Sequence, residues 1–293
     1  YTGNLAGNIE YRFFEWFSLF AEGNILKSID DIGGGRVLMS TGMAQVNEST
    51  DRDLNMGGLV QAKFGKQDSW FGANVSVGRF FRQPQLMELY GVYAGMLSSP
   101  SLKDESALRF SAGIYASTPQ KRSLLRATYF ETHAENGIYW VTSGNLMKAF
   151  NINESCIRGV ELELESHPVK MFQTVLRATI QNPREEGKNM AYKGNLLPGE
   201  PVRSYFAEGT FFLPFDLSAT FQMTYRTRIF SDRLNFTRQP PVTHYHASLS
   251  WLPWDKTRLV FAVNNISDET YRNIYTPYPA PGREYKFTII QGF

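Results

Sequence analysis

Apolar and polar residues alternate along most of this chain with a period of two, the spacing of a strand that has one apolar face. In residues 70–81, Phe71, Ala73, Val75 and Val77 share one face, and Gly72, Asn74, Ser76 and Gly78 share the other. Leu217, Ala219, Phe221, Met223 and Tyr225 oppose Ser218, Thr220, Gln222, Thr224 and Arg226. Val160, Leu162 and Leu164 oppose Glu161, Glu163 and Glu165. Tyr245, Ala247, Leu249 and Trp251 oppose His244, His246, Ser248 and Ser250. The last stretch sets Tyr285, Phe287, Ile289 and Phe293 against Lys286, Thr288 and Gly292. So polar a second face does not belong to a sandwich core. The pattern predicts an all-β, antiparallel protein of about thirteen strands.

Many of these strands run for about ten residues, longer than the five or six usual in globular proteins and enough to cross a bilayer when tilted. Connections alternate in size. Short ones include GKQDS, STPQKR, SHPVK, LPFD and LPWDK, while long ones are expected over 27–51, 81–104, 134–148, 182–199, 229–241 and 266–281. That rhythm belongs to outer-membrane barrels, with turns on the periplasmic side and loops outside. Trp16, Trp70, Trp251 and Trp254 adjoin short turns, as do Phe13, Phe14, Phe212 and Phe215. Aromatic rings gathered at one level form the girdle that flanks a lipid-facing band. An unpaired backbone group in lipid costs several kcal/mol, so the closing strand is expected to stay paired to its aromatic end.

Composition removes other classes. Among 293 residues, Lys plus Arg is 30 and Asp plus Glu is 28, too even a balance for a nucleic-acid binder. Cys156 is the only cysteine, which gives no disulfide framework and no Cys-based metal site. No apolar run is long enough for a spanning helix, and no signal peptide precedes the first strand. The chain opens on Tyr1 and reads as a processed or trimmed product. No catalytic set or cofactor motif is present. His244 and His246 sit two apart on one face, but Ser248 and Ser250 are poor ligands, so they read as lumen-facing imidazoles and no metal is expected.

Several stretches resemble the C-terminal part of TonB-dependent outer-membrane receptors. FRQPQLMELYG (81–91) and SPSLKDES (99–106) resemble two of the family's segments. CIRGVELELE (156–165), FAVNNISDETYRN (261–273) and YPAPGREYKFTIIQGF (278–293) resemble three more, in the family's order. The resemblance implies a barrel of about 22 strands around an N-terminal plug, importing a scarce nutrient such as a ferric siderophore or cobalamin with energy from the TonB complex. No plug-like segment or coupling box is recognisable here. The first and last strands both run toward the periplasm. Residues 1–293 are therefore expected to be the C-terminal portion of such a receptor, without the plug and early strands. The expected location is the outer membrane of a Gram-negative bacterium. The expected partners are outer-membrane lipid, the TonB complex through the plug, the N-terminal remainder and a small-molecule nutrient. A stand-alone small pore is the alternative, favoured by an even, closed strand count.

Two groups of residues are candidates for function. Arg82, Tyr93, Tyr139, Trp140, Tyr192, Arg233 and Tyr275 lie in or near the long connections, where aromatic and guanidinium groups bind anionic chelates. Arg82 also falls in a family segment, which favours a structural role for it. Glu161, Glu163, Glu165, Arg177 and Arg126 point to the polar face, as a solvated lumen wall or a docking surface for the plug. Haem receptors are expected to carry a histidine between Phe81 and Lys103; none is there, which makes haem a poor cargo.

Overall fold

The structure is a computed structural model that describes residues 2–32, 35–39, 42–46, 49–66, 69–91, 95–143, 146–270 and 280–292, with side chains over 5–25 and from 55 onward. Thirteen strands pair in chain order: β1 (Thr2–Phe14), β2 (Phe17–Ile32), β3 (Ser49–Phe64), β4 (Phe71–Arg82), β5 (Glu105–Ser117), β6 (Ser123–Ser143), β7 (Leu146–Val169), β8 (Phe172–Glu185), β9 (Arg203–Leu213), β10 (Leu217–Arg226), β11 (Val242–Trp254), β12 (Thr257–Asn264) and β13 (Glu284–Gln291). A two-residue strand, Met96–Leu97, adds to the outer end of β7. One short helix, α1 (Leu86–Tyr90), sits between β4 and β5. Among the described residues no helix is long and apolar enough to cross a membrane.

Each neighbouring pair along the path from β1 to β13 is antiparallel, so β1 and β13 run in the same direction. No described strand pairs across those two edges, and the sheet is not closed. The register joins apolar positions across strands. Ala62, Val75, Ala112, Tyr129, Val160 and Ile180 form one continuous row. Phe211, Ala219, Leu249, Phe261 and Phe287 form another. Among the described residues nothing covers this face, and Phe287 is 63% exposed. In water such a surface would far exceed the apolar patches monomers tolerate; in lipid it is the band the fold requires.

The short turns show why the hairpins reverse there. Phe215 and Asp216 both have positive φ (64° and 55°) within the three-residue turn, 214–216, that joins the paired Leu213 and Leu217. At this end Phe14 and Trp16 stack with centroids 5.4 Å apart, and Phe17 lies 5.2 Å from Phe64. Higher on the wall, Gly159 lets β7 and β8 approach, since a Cβ there would stand 2.4 Å from the Ile180 carbonyl oxygen.

Two expected long loops are strands instead. β6 continues to Ser143 and β7 resumes at Leu146, so 134–148 is the tip of one extended hairpin. Over 27–51, β2 runs to Ile32, where it pairs with Ser49 of β3. The reason is visible in β6. Leu125, Ala127 and Tyr129 turn to the apolar band, whereas Phe130, Ala134, Ile138 and Trp140, on the opposite alternation, are the buried ones, and Asn136 among them has φ 53°. Above the lipid band the strand buries its other alternate positions. Ile138 and Trp140 join Met96, Met147 and Ala149 in the main buried cluster, against Met87 and Leu102. A switch of parity reads as a loop when one face alone is followed.

Candidate functional site

The polar face carries an ion-pair ladder. Alternation turns Glu161, Glu163 and Glu165 to the same side, and the register sets Glu163 between Arg126 on β6 and Arg177 on β8. Arg126 Nη1 donates to Glu163 Oε2 at 2.7 Å and to Glu165 Oε1 at 3.2 Å. Arg177 Nε donates to Glu163 Oε1 at 2.9 Å, and Arg109 on β5 lies 3.7 Å from Glu161. The side chains are half-exposed, so each pair is worth at most about 1 kcal/mol. The ladder fixes charge positions more than it stabilises the wall. Beside it, Arg177, Thr179, Ser204, Thr224, Arg226 and His244 line an open recess of about 460 Å³.

Tertiary packing engages most of the loop candidates. Arg82 binds Glu88 on α1 (Nη1–Oε2 2.9 Å) and Glu105 on β5 (Nη2–Oε2 3.2 Å). Glu88 also accepts from the Gln85 backbone N–H at 2.7 Å, the return half of a capping box, and Glu105 accepts from the Ile138 N–H. The FRQP…MELY stretch thereby pins α1 to the β6–β7 hairpin. Trp140 is 8% exposed inside the apolar cluster, and Tyr139 beside it is half-buried. Arg233 pairs with Glu185 and lies 4.1 Å over the Tyr192 ring. Tyr93 and Tyr275 lie outside the described residues.

The loops after β8 and β10 interlock. Asn235 clamps Leu196 from both sides, accepting from its N–H at 2.8 Å and donating to its carbonyl at 2.9 Å. The Gly199 N–H donates to Phe230 O at 2.8 Å, and the Thr142 N–H on the β6 tip donates to Ser231 O at 2.9 Å. Glu200 is half-buried in this cap, and desolvation raises its carboxyl above the ordinary range, partly opposed by a Gln181 amide bond of 3.3 Å. What the cap leaves exposed was not singled out in sequence: Lys188, Met190, Lys193, Phe236 and Arg238. Phe236 and Met190 are 80% and 82% exposed. Apolar side chains inside otherwise polar loops were the signal that could have marked the last two.

Comparison with known proteins follows the fold. The family described as "TonB dependent receptor-like, beta-barrel" matches residues 67–266. No curated protein sequence matches closely enough to count as a relative. A structure titled "Copper transporter OprC" superposes with TM-score 0.73 at 14% identity over 100% of this chain and 49% of that one. The ferric yersiniabactin uptake receptor FyuA from Yersinia pestis gives TM-score 0.72 at 14% identity, covering 100% of this chain and 46% of that one. The ferric-catecholate import receptor Fiu from E. coli K12, in its closed form, gives 0.70 at 18%, covering 100% and 44%. The chain spans about half the length of these solved structures.

Proposed function

Because this chain belongs to the TonB-dependent receptor β-barrel family, we propose that it supplies wall and outer loops to an outer-membrane active-transport receptor. The receptor imports a scarce nutrient, a ferric siderophore or cobalamin, in a Gram-negative cell, and draws energy from the TonB complex. The observation that carries this reading is the two-faced sheet: an uncovered apolar band outside, an ion-pair ladder inside, and an interlocked cap at one end only. The matching family and the solved neighbours are receptors and transporters, not enzymes.

Residues 1–293 act as the C-terminal part of the barrel. Parallel edge strands β1 and β13 exclude closure as a purely antiparallel ring, and each edge would expose backbone donors and acceptors to lipid. An N-terminal remainder with early strands and a plug satisfies both edges. Glu161, Glu163, Glu165, Arg126 and Arg177 then present fixed charges to that plug.

At the cap, exposed Lys188, Lys193 and Arg238 with Met190 and Phe236 offer cations and apolar surface to an anionic chelate, and Tyr93, Tyr139 and Tyr275 stay ligand candidates on the sequence alone. Uptake of labelled ferric siderophores and cobalamin is measured in cells lacking and regaining the full receptor, with and without a protonophore. Uptake of one ligand that needs both receptor and proton gradient is expected. Replacing Lys188, Lys193 and Arg238 together with Ala lowers that uptake at unchanged receptor abundance. Uptake that persists in uncoupled cells identifies a passive pore and overturns the proposal.

A further inference from the structure

β6 and β7 carry a cluster that lies away from the polar face. His133 pairs in register with Cys156, and Glu131 stands two residues before His133, on the same face as Tyr129 and Val160. Glu131 Oε1 is 2.8 Å from His133 Nε2 and 3.9 Å from Cys156 Sγ. The three donor atoms lie within 4.8 Å of one another. A tetrahedral metal with bonds of about 2.0–2.3 Å holds its ligands about 3–4 Å apart, so small side-chain adjustments close the site.

Two further groups stand beside these residues. The Tyr129 hydroxyl donates to Glu131 Oε2 at 2.7 Å, which leaves Oε1 directed at the cluster. His133 Nδ1 lies 4.0 Å from Glu186 Oε2, beyond hydrogen-bond length, and a small rotation would bring that carboxylate onto the far nitrogen of a ligating imidazole. Glu186 is itself tied back by its N–H to Glu154 O at 2.9 Å. Cys156 is 3% exposed, whereas Glu131 and His133 reach solvent, so the thiol forms the floor and the mouth faces outward.

We propose that Glu131, His133 and Cys156 bind a borderline-soft divalent transition metal, Zn²⁺ in the first place, with Glu186 and Tyr129 orienting two of the ligands. One sulfur, one nitrogen and one carboxylate oxygen suit Zn²⁺; Ca²⁺ and Mg²⁺ take oxygen alone. A fourth position stays open to water on the exposed side. The site lies on the opposite face to Arg126 and Glu163, so this metal is no cargo on the polar face. It links β6 to β7 where the pair leaves the apolar band.

The full receptor, stripped of metal in detergent, is titrated with Co²⁺ and then Zn²⁺. One equivalent of Co²⁺ is expected to produce a thiolate-to-metal charge-transfer band, which Zn²⁺ abolishes. Zn²⁺ also shields Cys156 from alkylation. Cys156→Ser removes the band, and Glu186→Gln keeps it while weakening Zn²⁺ binding about 10–100-fold. His133→Gln leaves the thiol in place and removes the shielding, which decides the matter even if the serine variant fails to assemble. No band with Co²⁺ in the parent protein, or shielding equal in His133→Gln and parent, overturns the proposal. Metal binding unaffected by His133→Gln belongs elsewhere, and it overturns the proposal equally.

Discussion

The guanidinium of Arg233, in the loop after β10, closes on the carboxylate of Glu185 at the outer end of β8, and Glu185 is only 3% exposed. Removing the arginine strands a buried charge. Arg233→Ala is expected to cost about 3–5 kcal/mol, while Glu185→Leu with Arg233→Met restores most of it. Protease cleavage within 186–202 on intact cells rises in the single variant and returns toward the parent level in the double one. Equal cleavage in parent and Arg233→Ala removes the pair as the clamp of the cap.

Leu249 and Ser248 test the assignment of faces. Leu249 lies between Ala219 and Phe261 on the exposed apolar band, and Ser248 lines an open recess of about 320 Å³ on the polar face. Leu249→Arg puts a charge on the lipid face one same-face step from Trp251, and is expected to destabilise the assembled barrel by about 1–2 kcal/mol, between the interfacial and midplane costs. Ser248→Arg has room and water, and assembles near the parent level. Heat-modifiable gel mobility of both variants reads the difference, and equal assembly means the faces are reversed.

Orientation is checked by labelling. In a Cys156→Ser background, cysteines at Lys188 and Phe236 are expected to react with an impermeant maleimide from outside intact cells. One at Asp255, in the short turn between β11 and β12, reacts only after the outer membrane is opened. The opposite pattern inverts the topology. Ser231, in the same loop as Phe236, is no use for this purpose, since it is 2% exposed beneath the cap.

Glu200 gives the cap a pH dependence. Its carboxyl titrates above the ordinary range because burial penalises the charged form. A raised carboxyl contributes stability that is complete below its unfolded value and is lost as pH rises through the folded one. Amide hydrogen exchange across 186–202, corrected for intrinsic rates, is therefore expected to quicken as pH increases through that window. Glu200→Gln holds the protected state without ionising. An unaltered pH profile in that variant assigns the effect to another group.

Much of the wall was legible in the order of residues. Val160, Leu162 and Leu164 against Glu161, Glu163 and Glu165 define two faces without reference to any other strand, because a strand turns successive side chains to opposite sides. The same rule locates the polar face that receives Arg126 and Arg177. It failed above the lipid, where Ile138 and Trp140 occupy the alternation that Arg126 and Thr128 hold below. There the local pattern depends on what lies across from it, namely Met96 and Met87 from a different connection.

The sequence by itself determined the class of structure: about thirteen amphipathic strands, and, for the five stretches whose alternation is cleanest, which side is apolar. Period and length alone settle these, since every strand in a bilayer obeys the same demand for paired backbone and an apolar exterior. Only the tertiary structure decided the fate of individual side chains in the loops. Arg233 and Tyr192 look free for a ligand in sequence, yet Glu185 and the cap engage them. Cys156, read alone as carrying no metal chemistry, acquires Glu131 and His133 as neighbours across a hairpin. Such contacts join residues far apart in the chain, and register and loop closure set them, not any local repeat.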